Sequence, residues 1–182
     1  MENIKRYNTL FLDRDGVINI QRKEDYVKSI EEFIFIEGVF EALSILSAQF
    51  AHIVIVTNQR GVGKGVMSLQ QLEAIHTHMQ NEISARNGKI DKIYFCTDTG
   101  EHSLNRKPNI GMALQAQREF PDINFSDSIM AGDSLSDMQF ANNAGIPAVL
   151  IGNKYKPEDI EPLSIKGHYP DLLTFAKQFK KN

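Results

Sequence analysis

The chain has 182 residues, 42% hydrophobic and 24% charged, with 20 Lys+Arg against 23 Asp+Glu for a formal net charge of −3. That length suits one compact domain, residues 1–182, with a sizeable core, and the mildly acidic balance argues against a dedicated nucleic-acid binder, which carries a basic excess. A single cysteine, Cys96, excludes an intrachain disulfide.

The opening MENIKRYN lacks the apolar run of a secretory signal, and no segment approaches bilayer-spanning length. The expectation is a cytoplasmic protein with no membrane partner. Near-continuous apolar runs at 9–13, 52–58, 92–96, 128–133 and 148–152 predict buried strands. Between them lie helical patterns. Residues 39–48 come first. Next, Ser68 with Gln71 writes an S-x-x-Q capping box, ahead of Leu69, Leu72, Ile75, Met79 and Ile83 on one face and an exit at Gly88. Further helices are predicted at 110–120, at 136–144 (stopped by Gly145 and Pro147), and after Pro170. Strand–helix alternation of this kind predicts an α/β protein, a mostly parallel sheet with helices on both faces. His76 and His78, two positions apart on a helix, point to different sides and read as ordinary surface or boundary histidines. The Lys180-Lys181 end reads as a solvated terminus.

The glycine-rich stretch TNQRGVGKG, residues 57–65, invites comparison with a nucleotide-binding P-loop. That pattern requires G-x-x-x-x-G-K followed by Ser or Thr. Here Gly65 follows Lys64, and Gly61 and Gly63 are only two apart, so the match fails.

Open α/β sheets bind ligands at the carboxyl ends of their strands, and three predicted strands end in polar groups there. The first runs into Asp13-Arg14-Asp15-Gly16, the second ends at Thr57-Asn58, and the fourth ends at Gly132-Asp133 with Asp137 a turn later. Alternate side chains of extended chain share a face, so Asp13 and Asp15 start close together. Like charges that close call for a cation, and magnesium suits hard oxygen ligands. Each site alone reads equally well as a turn or helix cap. All three, with Arg106-Lys107-Pro108 between them, make a coherent set.

DRDGVIN, TNQRGVGKG, NRKP and GDSLSDM resemble, in order, the four motifs of the haloacid dehalogenase superfamily of phosphotransferases, across about residues 10–152. FLDRDGVIN with TNQ and RKPNIGM is similar to the histidinol-phosphatase and heptose-bisphosphatase branch. DRDGVIN, DYVKS and GVGKG place it nearer the heptose side. The resemblance implies a Rossmann-like fold and a magnesium-dependent phosphomonoesterase that works through an aspartyl phosphate. Its partner would be a small phosphorylated sugar, most like D-glycero-D-manno-heptose 1,7-bisphosphate, and no nucleic acid. Histidinol phosphate or another small ester is the rival substrate. A non-catalytic phospho-ligand scaffold is disfavoured, because a pure binder has no need of Asp15 beside Asp13. The oligomeric state is left open, with a monomer sufficient.

Carried over residue by residue, the resemblance makes Asp13 the nucleophile and Asp15 the acid and base. Magnesium would be held by Asp13, the main-chain carbonyl of Asp15, and Asp133, with Asp137 supporting. Thr57 and Lys107 would neutralise the phosphoryl oxygens. Asn19, Tyr26, Asn58, Gln59, Arg60 and Arg106 fall at substrate-binding positions, while Lys64 reads as a solvated lysine. One helix, one strand and a loop separate Asn58 from Lys107, and a loop or short hairpin separates Asp15 from Val39, so no cap domain is expected.

This branch often carries zinc on C-x-H and C-x-C pairs before RKP. Here Cys96 stands with Asp98, Ser103 and Asn105 at those positions, and that set cannot form the usual sulfur/nitrogen site. No structural zinc is expected, and loop 97–105 must be ordered by hydrogen bonds or not at all. Ser134 stands where the family often has lysine.

Overall fold

Leu10 and Leu12 face one way from the first apolar run and Phe11 the other, and all three are fully buried in the computed structural model. Residues 7–100 and 102–180 are described. The alternation sets up two apolar layers, one on each side of a sheet. β1 (Thr9–Leu12), β2 (His52–Asn58), β3 (Lys92–Cys96), β4 (Ser128–Gly132) and β5 (Ala148–Ile151) form at the five expected runs. A sixth strand, β6 (Gly167–Tyr169), completes a sheet of order β3-β2-β1-β4-β5-β6, with every neighbouring pair parallel. At three residues and only part-buried, β6 lacks the long apolar run that marks the others.

The helices α1 (Val39–Ser47), α3 (Leu69–Ser84) and α7 (Leu172–Lys177) cover one face. Leu43, Leu72, Ile75 and Phe175 join Leu10, Leu12, Ile53 and Ile55 there. Helices α4 (Gly111–Glu119) and α5 (Leu135–Ala144) cover the other, where Met112, Ala116, Met138 and Phe140 pack on Phe11, Val54 and Val56. Two one-turn helices, α2 (Arg60–Gly63) and α6 (Pro157–Ile160), are too short to show a periodic signal.

Local chemistry sets the boundaries. The expected capping box at Ser68 and Gln71 is formed. The exit of α3 differs from expectation, because Asn87 rather than Gly88 takes the left-handed turn, with φ 62°. Asparagine tolerates that conformation, and Gly88 instead lies tight against Ile83. Ser134 caps α5 in a second box with Asp137, and Gly145 ends it at φ 71°. Residues 18–36 form the expected hairpin-like loop, tied by Ile20 N–H to the Ile34 carbonyl (2.8 Å) and Ile36 N–H to the Ile18 carbonyl (2.9 Å). Among the described residues no further domain stands over the sheet, and no helix is long and apolar enough to cross a membrane. Residues 1–6 of the opening segment and Lys181 lie outside the described residues. Lys180 pairs with Glu41 at 3.2 Å.

The chain winds from β1 through β2 to β3, then crosses to β4 on the other side of β1. Such a reversal opens a crevice beyond the carboxyl ends of the two central strands. Asp13 follows β1 and Asp133 follows β4, so both stand at that crevice.

Candidate active site

Lys107 organises the floor of the crevice. Its ammonium lies 3.0 Å from Asp13 Oδ1 and 2.5 Å from Asp137 Oδ1, and it donates to the Val56 carbonyl at 2.7 Å. The backbone of Lys107 is held by Asn58, whose Oδ1 accepts from Lys107 N–H (3.0 Å) while its Nδ2 donates to the Lys107 carbonyl (3.1 Å). The end of β2 thereby fixes the loop that delivers the lysine. Asp137 Oδ2 accepts from Asp133 N–H, Ser134 N–H and Ser134 Oγ. Both oxygens of Asp137 are therefore engaged within the protein, as suits a supporting role.

Carboxylates outnumber ammonium groups here, and the protonation equilibria follow. Burial, then the charge of Asp137, push Asp13 up to about 8 against the pull of Lys107. Burial also lifts Asp133 to about 6, although the hydrogen bond from Lys154 opposes it. Burial alone would lower Lys107, but the charges of Asp13 and Asp137 outweigh it and hold the ammonium above the usual lysine range. Among the described residues, Asp13, Asp133 and Asp137 are the one His/Cys/Asp/Glu group placed to hold a metal, with ligand atoms within 4.8 Å of one another. A clustered, under-compensated set of hard oxygens fits a divalent cation such as magnesium.

Asp15 is treated differently. Burial would raise it, but the charge of Arg14 and hydrogen bonds from Arg14, Asn19 and Gln59 prevail and hold it below the ordinary carboxylate range. Arg14 Nη2 and Asn19 Nδ2 donate to Oδ1, both at 2.9 Å, and Gln59 Nε2 donates to Oδ2 at 2.8 Å. Gln59 also donates to Thr57 Oγ1 at 2.9 Å. The hydroxyl proton of Thr57 is thus left for another acceptor.

A cleft of about 220 Å³ opens over these groups. Of the predicted positions, Asp13, Asp15, Tyr26, Thr57, Asn58, Gln59, Lys107 and Asp133 line it. Asn19 does not: its side chain is fully buried and holds Asp15. Arg60 and Arg106 also stand outside the lining. They bond the carbonyls of Thr99 (3.2 Å) and Asp98 (3.5 Å), so the structure uses them to hold loop 97–105. Lys64 is exposed, with its ammonium 5.5 Å from the Tyr26 ring centroid.

Gln21, Arg22, Asp25, Ser134 and Ser136 line the cleft unforeseen. Lys154 reaches in from beyond β5 to Asp133 and to Gln21 Oε1 at 3.1 Å. Sequence reading also passed over Arg14, which is buried. Its place between two aspartates was the available signal, since a cation there can neutralise one of them, and it pairs with Asp15. His76 is buried as well, 5% exposed, which corrects its reading as a surface or boundary residue. His78 packs edge-on against Phe33.

In loop 97–105, of which Glu101 lies outside the described residues, hydrogen bonds engage the residues at the four positions. Cys96 Sγ is 3.5 Å from Ser103 Oγ, and that hydroxyl donates to Asp98 Oδ2 at 2.5 Å. Asn105 Oδ1 accepts from Gln115 at 3.0 Å.

An aspartate at the switch point of a parallel sheet, sharing a buried lysine with a second aspartate from beyond β4, is the arrangement of the haloacid dehalogenase class of phosphatases. Comparison with known proteins narrows this. The family model described as polynucleotide kinase 3 phosphatase matches residues 8–150. The chain is 42% identical over 169 residues to the D-glycero-alpha-D-manno-heptose-1,7-bisphosphate 7-phosphatase of Campylobacter jejuni, covering 93% of this chain and 95% of that one. It is 36% identical over 156 residues to the beta-anomer 7-phosphatase of Vibrio cholerae, covering 81% and 82%. The crystal structure of D,D-heptose 1,7-bisphosphate phosphatase from B. bronchiseptica, complexed with magnesium and phosphate, superposes with TM-score 0.84 at 31% identity, covering 94% and 97%. The chain belongs to this family, the heptose-bisphosphatase branch of the haloacid dehalogenase phosphatases.

Proposed function

We propose that the chain removes the 7-phosphate of D-glycero-α-D-manno-heptose 1,7-bisphosphate, acting as a single-domain enzyme over residues 1–182 in the cytoplasm. The observation that carries the phosphatase chemistry is Asp13, tied to Lys107, opening with Asp15 into one cleft. The α-anomer is favoured because five relatives named for it are 38–42% identical, against 35–38% for three named for the β-anomer.

In this reading an Asp13 carboxylate oxygen attacks phosphorus, the bond from phosphorus to the sugar oxygen breaks, and Asp15 gives its proton to the departing oxygen. Asp15 rests ionised; the arriving phosphate dianion raises its affinity for a proton, which it takes up from solvent before the transfer. Water then attacks the aspartyl phosphate and yields a proton to Asp15, which releases phosphate and restores Asp13. Lys107 and the Thr57 hydroxyl stabilise charge on the phosphoryl oxygens. Asp13, Asp133 and the main-chain carbonyl of Asp15 would hold magnesium, which when bound supplies a positive charge against the phosphoryl oxygens. Tyr26, Gln59, Gln21 and Asp25 present polar groups to the sugar. Arg106 and Arg60 act on substrate indirectly, through loop 97–105. No structural zinc is part of this reading, since the Cys96–Ser103–Asp98 chain ties the loop in its place.

The test is a kinetic panel with magnesium. The expected order of kcat/KM is the α-bisphosphate first, then the β-anomer, with histidinol phosphate and an oligonucleotide 3′-phosphate far behind. A preference for the oligonucleotide, the substrate class named in the family description, would overturn the sugar assignment.

A further inference from the structure

Arg14 is the largest side chain in the interior, 1% exposed, and the chemistry above makes no use of it. An unpaired guanidinium at that depth is strongly disfavoured, so its partners reveal what it is for. Nη2 donates to Asp15 Oδ1 at 2.9 Å, and Nη1 lies 3.2 Å from His76 Nε2. The guanidinium carbon stands 5.7 Å from the centroid of Phe33.

Arginine only donates hydrogen bonds. His76 Nε2 must therefore be an acceptor, which places the imidazole proton on Nδ1 and leaves the ring neutral. Desolvation, then the Arg14 charge, drive His76 down to about 3, in keeping with that tautomer. The ring is buried on α3, with its centroid 5.5 Å from that of Phe95. A histidine anchored on a long helix thus fixes one arm of the arginine, and the other arm fixes Asp15.

The consequence falls on the two Asp15 oxygens, each of which offers about two acceptor positions. Oδ1 takes bonds from Arg14 and Asn19, which fill it. Oδ2 takes one from Gln59. The remaining position, on Oδ2, is the place left for a transferable proton. We infer that Arg14, braced by His76, is a positioning residue that saturates Oδ1 and so directs proton transfer through Oδ2 of Asp15. This rests on the reading of Asp15 as the acid.

The test uses two esters, a sugar phosphate whose alkoxide needs a proton to leave and p-nitrophenyl phosphate whose phenolate does not. The readout is kcat/KM, which reports steps up to departure of the leaving group, before Asp15 acts as base. Arg14→Gln is expected to lower the sugar-phosphate value by about ten- to a hundredfold, at or below the low end of what general-acid catalysis supplies because Asp15 itself remains, with the aryl value changed by no more than about threefold. His76→Leu, which removes the acceptor, should lower the same ratio more mildly, and His76→Gln, which keeps an acceptor, should recover it. If Arg14→Gln does not fold, the His76 pair decides alone. Asp15→Asn is the control. A selective loss in Asp15→Asn but equal losses on both esters in the Arg14 and His76 variants would make the pair merely structural and sink the inference. Equal losses in Asp15→Asn itself would instead remove Asp15 as the acid, and the inference with it.

Discussion

At the floor of the cleft Lys107 is bound at once by Asp13, Asp137 and the Val56 carbonyl, whereas at the rim Arg22 bridges Asp25 (3.3 Å) and Glu32 (2.9 Å) on an exposed loop. Both are networks of opposite charges, but their surroundings differ. Water cannot replace a missing partner at the floor, so each group there depends on all the others. At the rim, solvent screens the pairs, and each contributes little. The floor, where the proposed reading puts the chemistry, is therefore intolerant of substitution. The rim, where that reading puts the sugar, can accept substitution without endangering the fold.

The largest effect expected is on turnover. Asp13→Asn should reduce it on the order of 10³-fold or more, the scale of losing a nucleophile, with the fold retained. Substantial residual turnover in that variant would remove the covalent route. Chelation should also stop the reaction and added magnesium restore it. Full activity in chelator would mean that the clustered carboxylates do not need a cation.

Stability sharpens the contrast directly. Lys107→Met strands Asp137, which is fully buried, and should cost about 3–5 kcal/mol, the scale of breaking a buried ion pair. Arg22→Met at the rim should cost no more than about 1 kcal/mol. Denaturant titrations of the two variants read this difference, and similar losses would erase the distinction between floor and rim.

A pH effect comes next. His76 binds its proton at about 3 when folded, against a usual 6.5. As pH falls below 6.5 the unfolded chain takes up that proton first, so the stabilisation present above 6.5 is lost on the way down toward 3. The melting temperature should fall less steeply with acid in His76→Leu than in the parent, and parallel curves would show that His76 is not held neutral. The smallest effects belong to loop 97–105. Ser103→Ala should cost about 0.5–1.5 kcal/mol of stability, one hydrogen bond's worth, and Cys96→Ser should leave catalysis nearly untouched. One zinc per chain by elemental analysis, lost in Cys96→Ser, would contradict the hydrogen-bonded account of that loop.

The same contrast explains what the sequence made legible. Strands β1, β2, β4 and β5 were readable because burial on both faces demands near-unbroken apolar runs, and a carboxylate ending such a run stands out. Asp13 and Asp133 were found that way, and the family resemblance assigned their roles and that of Lys107. β6 was missed because three residues at the sheet edge, two part-buried and His168 exposed, need no such run. The motif position of Asn19 says nothing about depth, and the structure buries it completely, bonded to Asp15. His76 was misjudged because helical spacing compares it with His78 and is blind to Arg14, 62 residues away in sequence. Rim residues such as Gln21 and Lys154 meet only through tertiary folding, so no local pattern announces them.

Gly16 and Gly65 both adopt positive φ, 84° and 70°, yet their neighbourhoods differ. A methyl group on Gly16 would overlap the carboxylate of Asp133, whereas nothing lies within 4 Å of the same position on Gly65. Two independent barriers, conformational and steric, therefore close position 16 to every other amino acid, and the second acts on a group of the reaction centre. Position 65 faces only the first, which asparagine partly evades. In a library randomised at both codons, survivors should be confined to glycine at 16 and extend to asparagine at 65. The invariance of this catalytic loop would then be set as much by the space it shares with a neighbouring strand end as by the reaction it performs.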